Sequence, residues 1–294
     1  MSEIVVVGSA NMDLVVRQSR LPHPGETMFG SSFTTVPGGK GLNQAVAAAR
    51  AGGSVAFVGA VGDDGFGAQL RAQFAADGID ATAVRIAPEA TGTAHISVVD
   101  GGENSIVVVP GANGATEQLD VADRSAIAGA RFVVAQFERP LRLIRAAFEL
   151  AREGGATTVL TPAPVVDPGD LLGLVDILVP NAAEACELAG TTGPAEAART
   201  LSERVGTVIM TRGGDGAIVA RSGEIVGEVP ARVVEPVDTT AAGDTFVGVL
   251  VARLAAGDAL ATAAHAASVA ASIAVTRPGA SSSMPTWGEV AALL

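Results

Sequence analysis

VDTTAAGDTF, residues 237–246, predicts a loop that leads into the first turn of a helix. Three valines, Val233, Val234 and Val237, lie before or at the start of this loop and favour a strand, whereas the apolar, alanine-rich residues 246–254 favour a helix. Strand, loop and helix in this order form the repeating unit of α/β proteins. We therefore expect this stretch to lie where a strand of such a sheet ends.

Small residues at the start of the predicted helix, Ala241, Ala242 and Gly243, are typical of an anion site. The first backbone N–H groups of a helix lack intrahelical partners and carry partial positive charge, and small side chains let an anion approach them closely. Asp244 in the same turn would supply a base beside that anion. The same residues also suit a helix that is simply capped after a tight turn, because Asp and Thr are favourable caps.

Composition narrows the class of protein. A chain of 294 residues with 48% hydrophobic residues can form one large α/β domain or two smaller ones. Aromatic residues make up only 3% of the chain and there is no Tyr, which argues against stacking on single-stranded nucleic acid. A net charge of −12 argues against nucleic acid and against an anionic membrane surface as partners.

Cysteine and histidine usage argues against metal sites built from these residues. The single cysteine, Cys186, cannot form an intramolecular disulfide, which suits a reducing, cytoplasmic location. His23, His95 and His265 lie far apart in the sequence, so a zinc site built from histidine is not expected. We expect neither a signal peptide, since the first residues lack a basic segment, nor a membrane span, since no run of about 18 apolar residues is unbroken.

Strands and helices alternate along most of the chain, which predicts a mostly parallel sheet covered by helices on both faces. The predicted strands are residues 4–7, 55–61, 132–136, 157–160, 177–179 and 207–211, with a hairpin at 216–229. The predicted helices are residues 45–51, a segment ending near 76, and 120–128, 140–153, 168–174, 182–189 and 194–204.

A second, small sheet is predicted from residues 14–36 together with the strands 94–99 and 105–109, which flank a turn at 100–104. We expect it to be antiparallel and separate from the main sheet. One face over a cleft would make it a lid, and its other face or edge a dimer surface. His95 lies in one of these strands, where we expect a packed or exposed polar residue and not a catalytic one.

Polar residues gather after successive predicted strands. The carboxyl ends of parallel strands meet at one edge of a sheet, where open α/β proteins bind ligands, so these clusters are expected to form one crevice. They are Asn11 and Asp13, Gln136 and Glu138, Asn181 and Glu184, residues 211–216, and the stretch 237–246.

The glycine-rich residues 38–41 open a helix and would let a ligand approach the backbone, with Lys40 and Asn43 facing it. A flexible helix start is the plainer alternative. The segment is not a Walker P-loop, because Thr34 stands where that loop needs glycine and Gly41 where it needs Ser or Thr. No dinucleotide fingerprint follows the first strands either, which disfavours a Rossmann oxidoreductase.

Two long motifs resemble the ribokinase/PfkB family of carbohydrate kinases. Residues 38–44, GGKGLNQ, resemble the N-terminal signature of that family, and residues 238–246, DTTAAGDTF, resemble its C-terminal signature. The intermediate pieces keep the family order from Gly8 to Ala280, so the resemblance covers essentially the whole chain.

The resemblance implies a three-layer α/β/α fold with a β-sheet lid that often forms a homodimer. It places residues 1–13, 38–92 and 112–294 in the main domain and residues 14–37 and 93–111 in the lid. It also implies ATP-dependent phosphorylation of the 5-hydroxyl of a pentose, with D-ribose expected first. Asp244 would then be the base, and the backbone amides of Ala241, Ala242 and Gly243 would form the anion hole.

The remaining roles follow from the same resemblance. The sugar would be held by Asn11, Asp13, Gly39, Lys40, Asn43, Glu138 and Asp244. ATP would be held by Asn181, Glu184, Thr211, Gly213, Gly214, Gly216, Gly243 and Ser268, with Mg²⁺ near the first two. A monovalent cation, K⁺, would be held by Asp238, Thr240, Ala274, Arg277, Gly279 and Ser283, several of them through backbone carbonyls.

Alternatives remain within and outside this class. The substrate could be deoxyribose, another small sugar or a nucleoside, although nucleoside kinases usually enlarge the sugar site with aromatic residues, which are scarce here. His95 falls near the sugar where an aliphatic residue is expected, which bears on the identity of that sugar. A non-catalytic sugar-binding regulator on the same fold is a further alternative, but a pure binder has no use for Asp244.

Overall fold

Short apolar runs rich in Val, Ile and Ala form a nine-stranded central sheet in a computed structural model that describes residues 2–101 and 103–294. Its strands are β1 (Ile4–Val7), β4 (Val55–Gly62), β5 (Val84–Ala87), β8 (Phe132–Gln136), β9 (Thr157–Thr161), β10 (Ile177–Leu178), β11 (Thr207–Thr211), β12 (Ala217–Arg221) and β13 (Glu224–Val229). They lie in the order β13-β12-β11-β10-β9-β8-β1-β4-β5. The pairs from β5 to β11 are parallel, and the hairpin of β12 and β13 continues the sheet in antiparallel fashion.

Helices cover both faces of this sheet, as predicted. They are α1 (Lys40–Arg50), α2 (Gly65–Ala76), α3 (Val121–Ala128), α4 (Leu141–Glu153), α5 (Ala182–Ala189), α6 (Pro194–Ser202), α7 (Ala242–Ala255), α8 (Leu260–Ala274) and α9 (Trp287–Ala291). Residues of α1, α2, α7, α8 and α9 share one buried core with Ile4 and Val6 of β1, and residues of α3 to α6 share another with Val5 and Val7. Because successive side chains of a strand point to opposite faces, these two cores define three layers. The predicted three-layer α/β/α fold is confirmed.

The small sheet consists of four strands, β3 (Ser32–Gly38), β2 (Asn11–Gln18), β6 (Gly92–Val99) and β7 (Asn104–Val109), in that order. The prediction of a purely antiparallel sheet is wrong, because β2 and β6 pair in parallel. Both strands leave the same edge of the main sheet, β2 directly after β1 and β6 shortly after β5, so they run in the same direction. Gly102, in the predicted turn between β6 and β7, lies outside the described residues.

The valine-rich segment before residue 238 is not a strand, contrary to the prediction. Pro230 and Pro236 lack the backbone N–H that a sheet ladder needs, and Val233 is 96% exposed. The backbone N–H of Val237 instead donates to the carbonyl of Val275, N–O 2.7 Å, so this irregular segment is fixed to the end of α8.

Several other element boundaries differ from those predicted from the sequence. α1 begins at Lys40, five residues earlier than predicted, since Gly39 adopts φ 93° and turns the chain directly into the helix. The predicted helix at 168–174 is only a 3₁₀ turn, Leu171–Leu174. β5 and α8 were not predicted. In the part of the chain that the structure describes, no helix has the length and apolar character needed to cross a bilayer.

Candidate active site

The first turns of α1 and α7 meet because Gly248 lets the two helices approach closely. A Cβ atom at Gly248 would lie 2.5 Å from the carbonyl oxygen of Gln44 and 2.5 Å from the Cβ of Ala47, so a larger residue would force the helices apart. One turn earlier on α7, Asp244 faces α1. Asn43 Nδ2 donates to Asp244 Oδ2 at 3.1 Å, and Gln44 Nε2 donates to Oδ1 at 3.0 Å. Both carboxylate oxygens of Asp244 are therefore held by side-chain amides.

The residue Asp244 is only 7% exposed, and the neighbouring groups affect the charge of its carboxylate in opposite directions. Burial raises the pKa of Asp244 above its ordinary value, while Lys40, Gln44 and Asn43 stabilise the charged form and Glu138 disfavours it. In turn, the Asp244 carboxylate raises the pKa of Lys40 against the effect of burial, so Lys40 carries its charge at neutral pH. This arrangement places a buried carboxylate beside a fixed positive charge, which suits a general base.

The start of α7 presents backbone amides to a cavity. Ala241 has φ 58°, in the left-handed region, and α7 begins at the next residue. The N–H of Ala242 bends back to the carbonyl of Thr239, N–O 3.3 Å. The N–H of Gly243 has no acceptor among the described residues, and a Cβ at Gly243 would meet nothing within 4 Å. Of the three predicted anion-hole amides, those of Ala241 and Gly243 are thus left without an acceptor among the described residues, and Gly243 also has no side chain.

Glu138, Asp13 and Lys40 lie together at the carboxyl ends of β1 and β8. The Lys40 backbone N–H donates to Glu138 Oε2 at 3.0 Å, and the Ser9 hydroxyl donates to the same oxygen. The Glu138 carboxylate thus accepts a free N–H of the first turn of α1 and, together with the turn at Gly39, fixes the start of this helix at Lys40. Burial, together with the negative charges of Glu138 and Asp244, raises the pKa of Asp13 to about 7. Three of the residues predicted to hold the sugar, Asp13, Lys40 and Glu138, are thus brought close to one another and to Asp244.

Asn113 was missed by the sequence analysis, yet it fixes the predicted sugar contact Asn11. Its Oδ1 accepts the N–H of Ala10 at 3.0 Å, and its Nδ2 donates to the Ala10 carbonyl at 3.1 Å and to Asn11 Oδ1 at 2.7 Å. The Asn11 amide group is therefore left with its NH₂ free to donate. Ser9, Asn11, Asn113 and Glu138 line a cavity of about 330 Å³. A polar residue in the turn directly after β7 was the only signal for Asn113.

A larger cavity of about 450 Å³ lies at the α7 N-terminus. It contains most of the residues predicted to hold a nucleotide, together with Ala242 and several apolar residues that were not predicted. Its predicted members are Asn181, Thr211, Gly213, Gly214, Gly216, Gly243 and Ser268. The unpredicted members come from the irregular segment 231–236, from Thr239 and Phe246, and from Ala271, Ser272 and Val275. Gly243 therefore borders this cavity while the next residue, Asp244, faces α1.

Glu184 is the predicted nucleotide residue that does not line this cavity. It forms a reciprocal cap with Asn181 at the start of α5: Asn181 Oδ1 accepts the Glu184 N–H at 2.8 Å, and Glu184 Oε2 accepts the Asn181 N–H at 2.8 Å. The Glu184 charge nevertheless contributes to raising the pKa of Lys40, after the larger contributions of Asp244 and Glu138.

Comparison with known proteins agrees with this geometry. Residues 1–287 match the family described as pfkB family carbohydrate kinase. The chain belongs to the pfkB family of carbohydrate kinases. It is 38% identical to the ribokinase of Haemophilus influenzae over 295 residues, covering 97% of this chain and 96% of that protein. It is also 38% identical to the ribokinase of Bacillus subtilis over 306 residues, covering 100% of both.

A solved structure of the same family has the same fold. The structure of Arabidopsis thaliana ribokinase in complex with ribose and ATP is 31% identical, with a TM-score of 0.91 over 99% of this chain and 98% of that chain. The family resemblance inferred from the two motifs is thereby confirmed, as is the α/β fold with a separate small sheet.

In this pfkB-family chain, the predicted K⁺ residues lie on two loops that Asp238 joins. Asp238 Oδ1 accepts the Thr240 N–H at 2.9 Å, and Oδ2 accepts the Gly279 N–H at 2.9 Å. Burial alone would raise the pKa of Asp238, but these hydrogen bonds lower it overall. The guanidinium of Arg277 turns away to Glu289, Nη2–Oε1 2.5 Å, which leaves its backbone carbonyl as the group that could face a cation.

The last two predicted K⁺ residues are also engaged locally. The Ala274 carbonyl accepts the Arg277 N–H at 3.0 Å, and the buried Ser283 hydroxyl donates to the carbonyl of Ala280 at 2.8 Å. Within residues 2–101 and 103–294, no three His, Cys, Asp or Glu side chains form a group suited to a metal ion. A cation here would therefore depend on backbone carbonyls and not on a carboxylate cluster.

The prediction that His95 falls near the sugar is wrong. In the small sheet, Asp13 pairs with Ala94, whereas His95 pairs with Leu14 and Val107. Because neighbouring residues of a strand point to opposite faces, His95 lies on the face away from Asp13. It is exposed there and contacts Thr93, Oγ1–Nε2 3.1 Å. The expectation of an exposed polar residue is confirmed, so His95 carries no information about the sugar.

Proposed function

We propose that this pfkB-family protein transfers the γ-phosphoryl group of ATP to the 5-hydroxyl of D-ribose. One observation carries the proposal: the buried Asp244 directly follows Gly243, which lines the larger cavity, and interacts electrostatically with Glu138, which lines the smaller one. This is the position that a base needs between an alcohol and a phosphate donor. Relatives that are ribokinases, 38% identical over nearly the whole chain, support ribose and ATP as the two substrates.

In the proposed reaction Asp244 accepts the proton of the 5-hydroxyl as its oxygen attacks the γ-phosphorus. The bond from that phosphorus to the bridging oxygen of ADP breaks, which gives ribose 5-phosphate and ADP. Phosphoryl transfer depends mainly on positioning and on neutralising charge, so the backbone amides at Ala241, Ala242 and Gly243 act as the anion hole and Lys40 adds a fixed positive charge. Asn11, Asp13, Gly39, Asn43 and Glu138 hold the sugar hydroxyls, because carboxylates and amides can pair with several O–H donors each.

Mg²⁺ and K⁺ are proposed cofactors. Glu184 uses only Oε2 in its cap, so Oε1 suits a water bound to Mg²⁺, a cation that prefers oxygen ligands and phosphates. Mg²⁺ bound with ATP would neutralise phosphate charge. The K⁺ residues fit a monovalent cation because Asp238 brings the loop at Thr240 against the loop at Gly279.

The small sheet is proposed to act as a lid and as a homodimer surface, with residues 14–37 and 93–111 forming this unit. Val108 of β7 lines the smaller cavity, so one face looks into the cleft. The opposite face exposes Phe33 at 62% and Val107 at 65%, large apolar side chains that a second copy of the chain would cover. A location in the cytoplasm stays a prediction.

The proposal is tested by ADP release with ATP, Mg²⁺ and a panel of pentoses, hexoses and nucleosides, with and without K⁺. Ribose is expected to give the highest kcat/KM. Turnover with deoxyribose or a nucleoside in preference to ribose would replace the assigned substrate but keep the chemistry. Absence of turnover with every sugar would favour a non-catalytic sugar-binding protein and contradict the proposal.

A further inference from the structure

A chain of three buried side chains crosses the core between the end of β8 and the start of α7. Gln136 Nε2 donates to Gln44 Oε1 at 2.6 Å, and Gln44 Nε2 donates to Asp244 Oδ1 at 3.0 Å and to Thr161 Oγ1 at 3.2 Å. Gln136 is 0% exposed and Gln44 is 1% exposed. The oxygen and both N–H groups of the Gln44 carboxamide are thus used. We refer to Gln136 and Gln44 as the carboxamide relay.

The partners of the Gln44 carboxamide match only one placement of its oxygen and nitrogen atoms. If that group were reversed, its oxygen would lie against the Asp244 carboxylate and its NH₂ against the NH₂ of Gln136. The first contact would place two acceptors together and the second two donors, in a buried region where electrostatic interactions are strong. The Gln136 donor and the Asp244 acceptor therefore match the same orientation of the Gln44 carboxamide, the one in which Gln44 donates to Asp244.

Thr161 and Asn43 fix the two ends of this arrangement. Thr161, at the end of β9, accepts the second N–H of Gln44, and Asn43 donates to the other oxygen of Asp244, Nδ2–Oδ2 3.1 Å. With one donor on each oxygen, the plane of the Asp244 carboxylate is set, and so is the direction of the lone pair left for a substrate hydroxyl.

The carboxamide relay and its neighbour Asn43 leave two buried polar atoms without hydrogen-bond partners. Gln136 Oε1 and Asn43 Oδ1 have no hydrogen-bond partner among the described residues. A Cβ atom at Gly8 would lie 2.6 Å from Gln136 Oε1 and 2.6 Å from the Cα of Gly41, so a larger residue at position 8 would displace the relay or the start of α1. Buried polar atoms without partners destabilise a protein, and two apolar side chains of the same size would avoid this cost. A requirement at Asp244 accounts for polar residues at both positions.

We propose that Gln136 and Gln44 are positioning residues that orient the Asp244 carboxylate toward the sugar hydroxyl; this inference rests on the function proposed above. Neither residue touches the substrate. Gln136 acts on Gln44, and Gln44 acts on Asp244. The relay starts at the last residue of β8, two residues before Glu138, so one strand end supplies both a sugar contact and the support for the base.

The charged groups that face Asp244 come from three other segments: Lys40 from α1, Asp13 from β2 and Glu138 from the loop after β8. None of them is altered by changes at Gln44 or Gln136. Because the Gln44 and Asn43 donors lower the pKa of Asp244 against burial, loss of the relay is expected to raise that pKa further. The acid limb of the kcat profile would then move to higher pH.

The test compares Gln136→Met and Gln44→Met, which keep side-chain length but remove the donors, with the wild type. The matched control is Gln69→Met, a change at an exposed position of α2. We expect kcat to fall roughly 10- to 100-fold in both relay variants, with KM for ribose and ATP nearly unchanged, since misplacing a catalytic group by about 1 Å costs up to roughly 10²-fold. A lower melting temperature with unchanged kcat and an unmoved acid limb would show that the relay is only structural, and would overturn the inference.

The double variant Gln44→Met/Gln136→Met separates folding from positioning. Removing both partners also removes the unmatched polar atoms between them, so its melting temperature should exceed that of either single variant. Its kcat should nevertheless stay as low as that of Gln44→Met. Recovery of kcat together with stability would contradict the inference.

A readout without turnover distinguishes failure of this inference from failure of the proposed function. If the wild type phosphorylates no sugar, the proposed function is wrong, but the ¹³C carboxyl resonance of Asp244 can still be titrated after assignment by its absence in Asp244→Asn. The titration midpoint is expected to be higher in Gln136→Met and Gln44→Met than in the wild type and in Gln69→Met. Equal midpoints in all four proteins would overturn the relay.

Discussion

Asn43 and Asp244 are joined by a hydrogen bond between two helix starts, with Asn43 Nδ2 3.1 Å from Asp244 Oδ2, although the residues lie 201 positions apart in the chain. One belongs to each of the two motifs that resemble carbohydrate kinases. The position of the candidate base therefore depends on the crossing of α1 and α7.

Replacing the base should abolish most of the activity without unfolding the protein. Asp244→Asn keeps the size of the side chain and one acceptor for the Asn43 and Gln44 donors, but it cannot take a proton from the sugar. We expect kcat to fall roughly 10²-fold or more, with little change in KM. Steady-state ADP release checks this, with Asp63→Asn, an exposed carboxylate, as the control. A variant as active as the wild type would show that Asp244 is not the base.

Stability is expected to fall as pH rises from about 4 to about 7, because burial and its carboxylate neighbours raise the pKa of Asp13 to about 7 in the folded state. At pH values between the pKa of Asp13 in the unfolded chain and its higher pKa in the folded protein, the folded state binds more protons than the unfolded chain. The free energy of unfolding therefore decreases as pH rises through this range. Asp244 contributes in the same direction. Urea unfolding of the wild type and Asp13→Asn between pH 4 and 8 tests this. The variant should show the flatter pH dependence, and identical curves would contradict the shift.

Sugar affinity should also depend on Asp13. A sugar hydroxyl donates a stronger hydrogen bond to a carboxylate than to a protonated carboxyl group. Ribose is therefore expected to bind more tightly as pH rises through about 7, and its binding should release a proton from Asp13. Calorimetry in two buffers of different ionisation enthalpy would detect the proton. In Asp13→Asn the affinity should fall roughly 10- to 100-fold and lose most of this pH dependence, as expected for loss of hydrogen bonds to a charged group.

Removing the Asp238 carboxylate should uncouple the loop at Thr240 from the loop at Gly279 and abolish the activation by K⁺. Asp238→Ala takes away the acceptor for both the Thr240 and the Gly279 N–H. We expect activation by K⁺ to be lost and the rate to fall roughly tenfold, the effect of one or two hydrogen bonds to a charged group. Initial rates against KCl, with tetramethylammonium chloride at equal ionic strength as the control, check this. A wild type indifferent to K⁺ would argue against the cation site.

The close approach of α1 and α7 should tolerate no side chain at Gly248. Gly248→Val would place Cβ within 2.5 Å of the Gln44 carbonyl, and relief of that contact must move Gln44 and Asn43 away from Asp244. We expect a loss of about 1–3 kcal/mol in the free energy of unfolding, typical of overpacking, and a lower kcat. Gly288→Val in α9, where a Cβ meets nothing within 4 Å, is the matched control. Equal kcat in the two variants would contradict the role of the crossing.

The homodimer proposal predicts that one charge on the outer face of the small sheet separates the subunits. Val107 is 65% exposed on the face away from Asp13, and a carboxylate there would be buried without a partner in a dimer. Sedimentation velocity should find the wild type as a dimer and Val107→Asp as a monomer. Val226→Asp, at a 57% exposed valine of β13, should leave the dimer intact. A monomeric wild type would refute the dimer.

Local sequence patterns determined most of the fold. β8, β11 and α5 have the predicted boundaries, because the alternation of apolar runs with turn residues is itself the signal for a buried parallel strand and its covering helix. The failures have local physical causes as well. The valines before residue 238 favoured a strand, but Pro230 and Pro236 deny it a hydrogen-bond ladder. Residues 38–41, three of them glycines, gave no signal for a helix start before Ala45, because the carboxylate that accepts the Lys40 N–H belongs to Glu138, nearly a hundred residues later.

By itself, the sequence determined the layers of this protein, the family, and the identity of Asp244 as a candidate base at a helix start. Only the tertiary structure decided what holds Asp244 and which side chains face it. The relay from Gln136 through Gln44 depends on the close crossing at Gly248, and the position of His95 depends on the register between β2 and β6. Neither follows from composition or periodicity, because side-chain partners are chosen by packing between segments that are distant in the chain, and a shift of one residue in register turns a side chain to the opposite face.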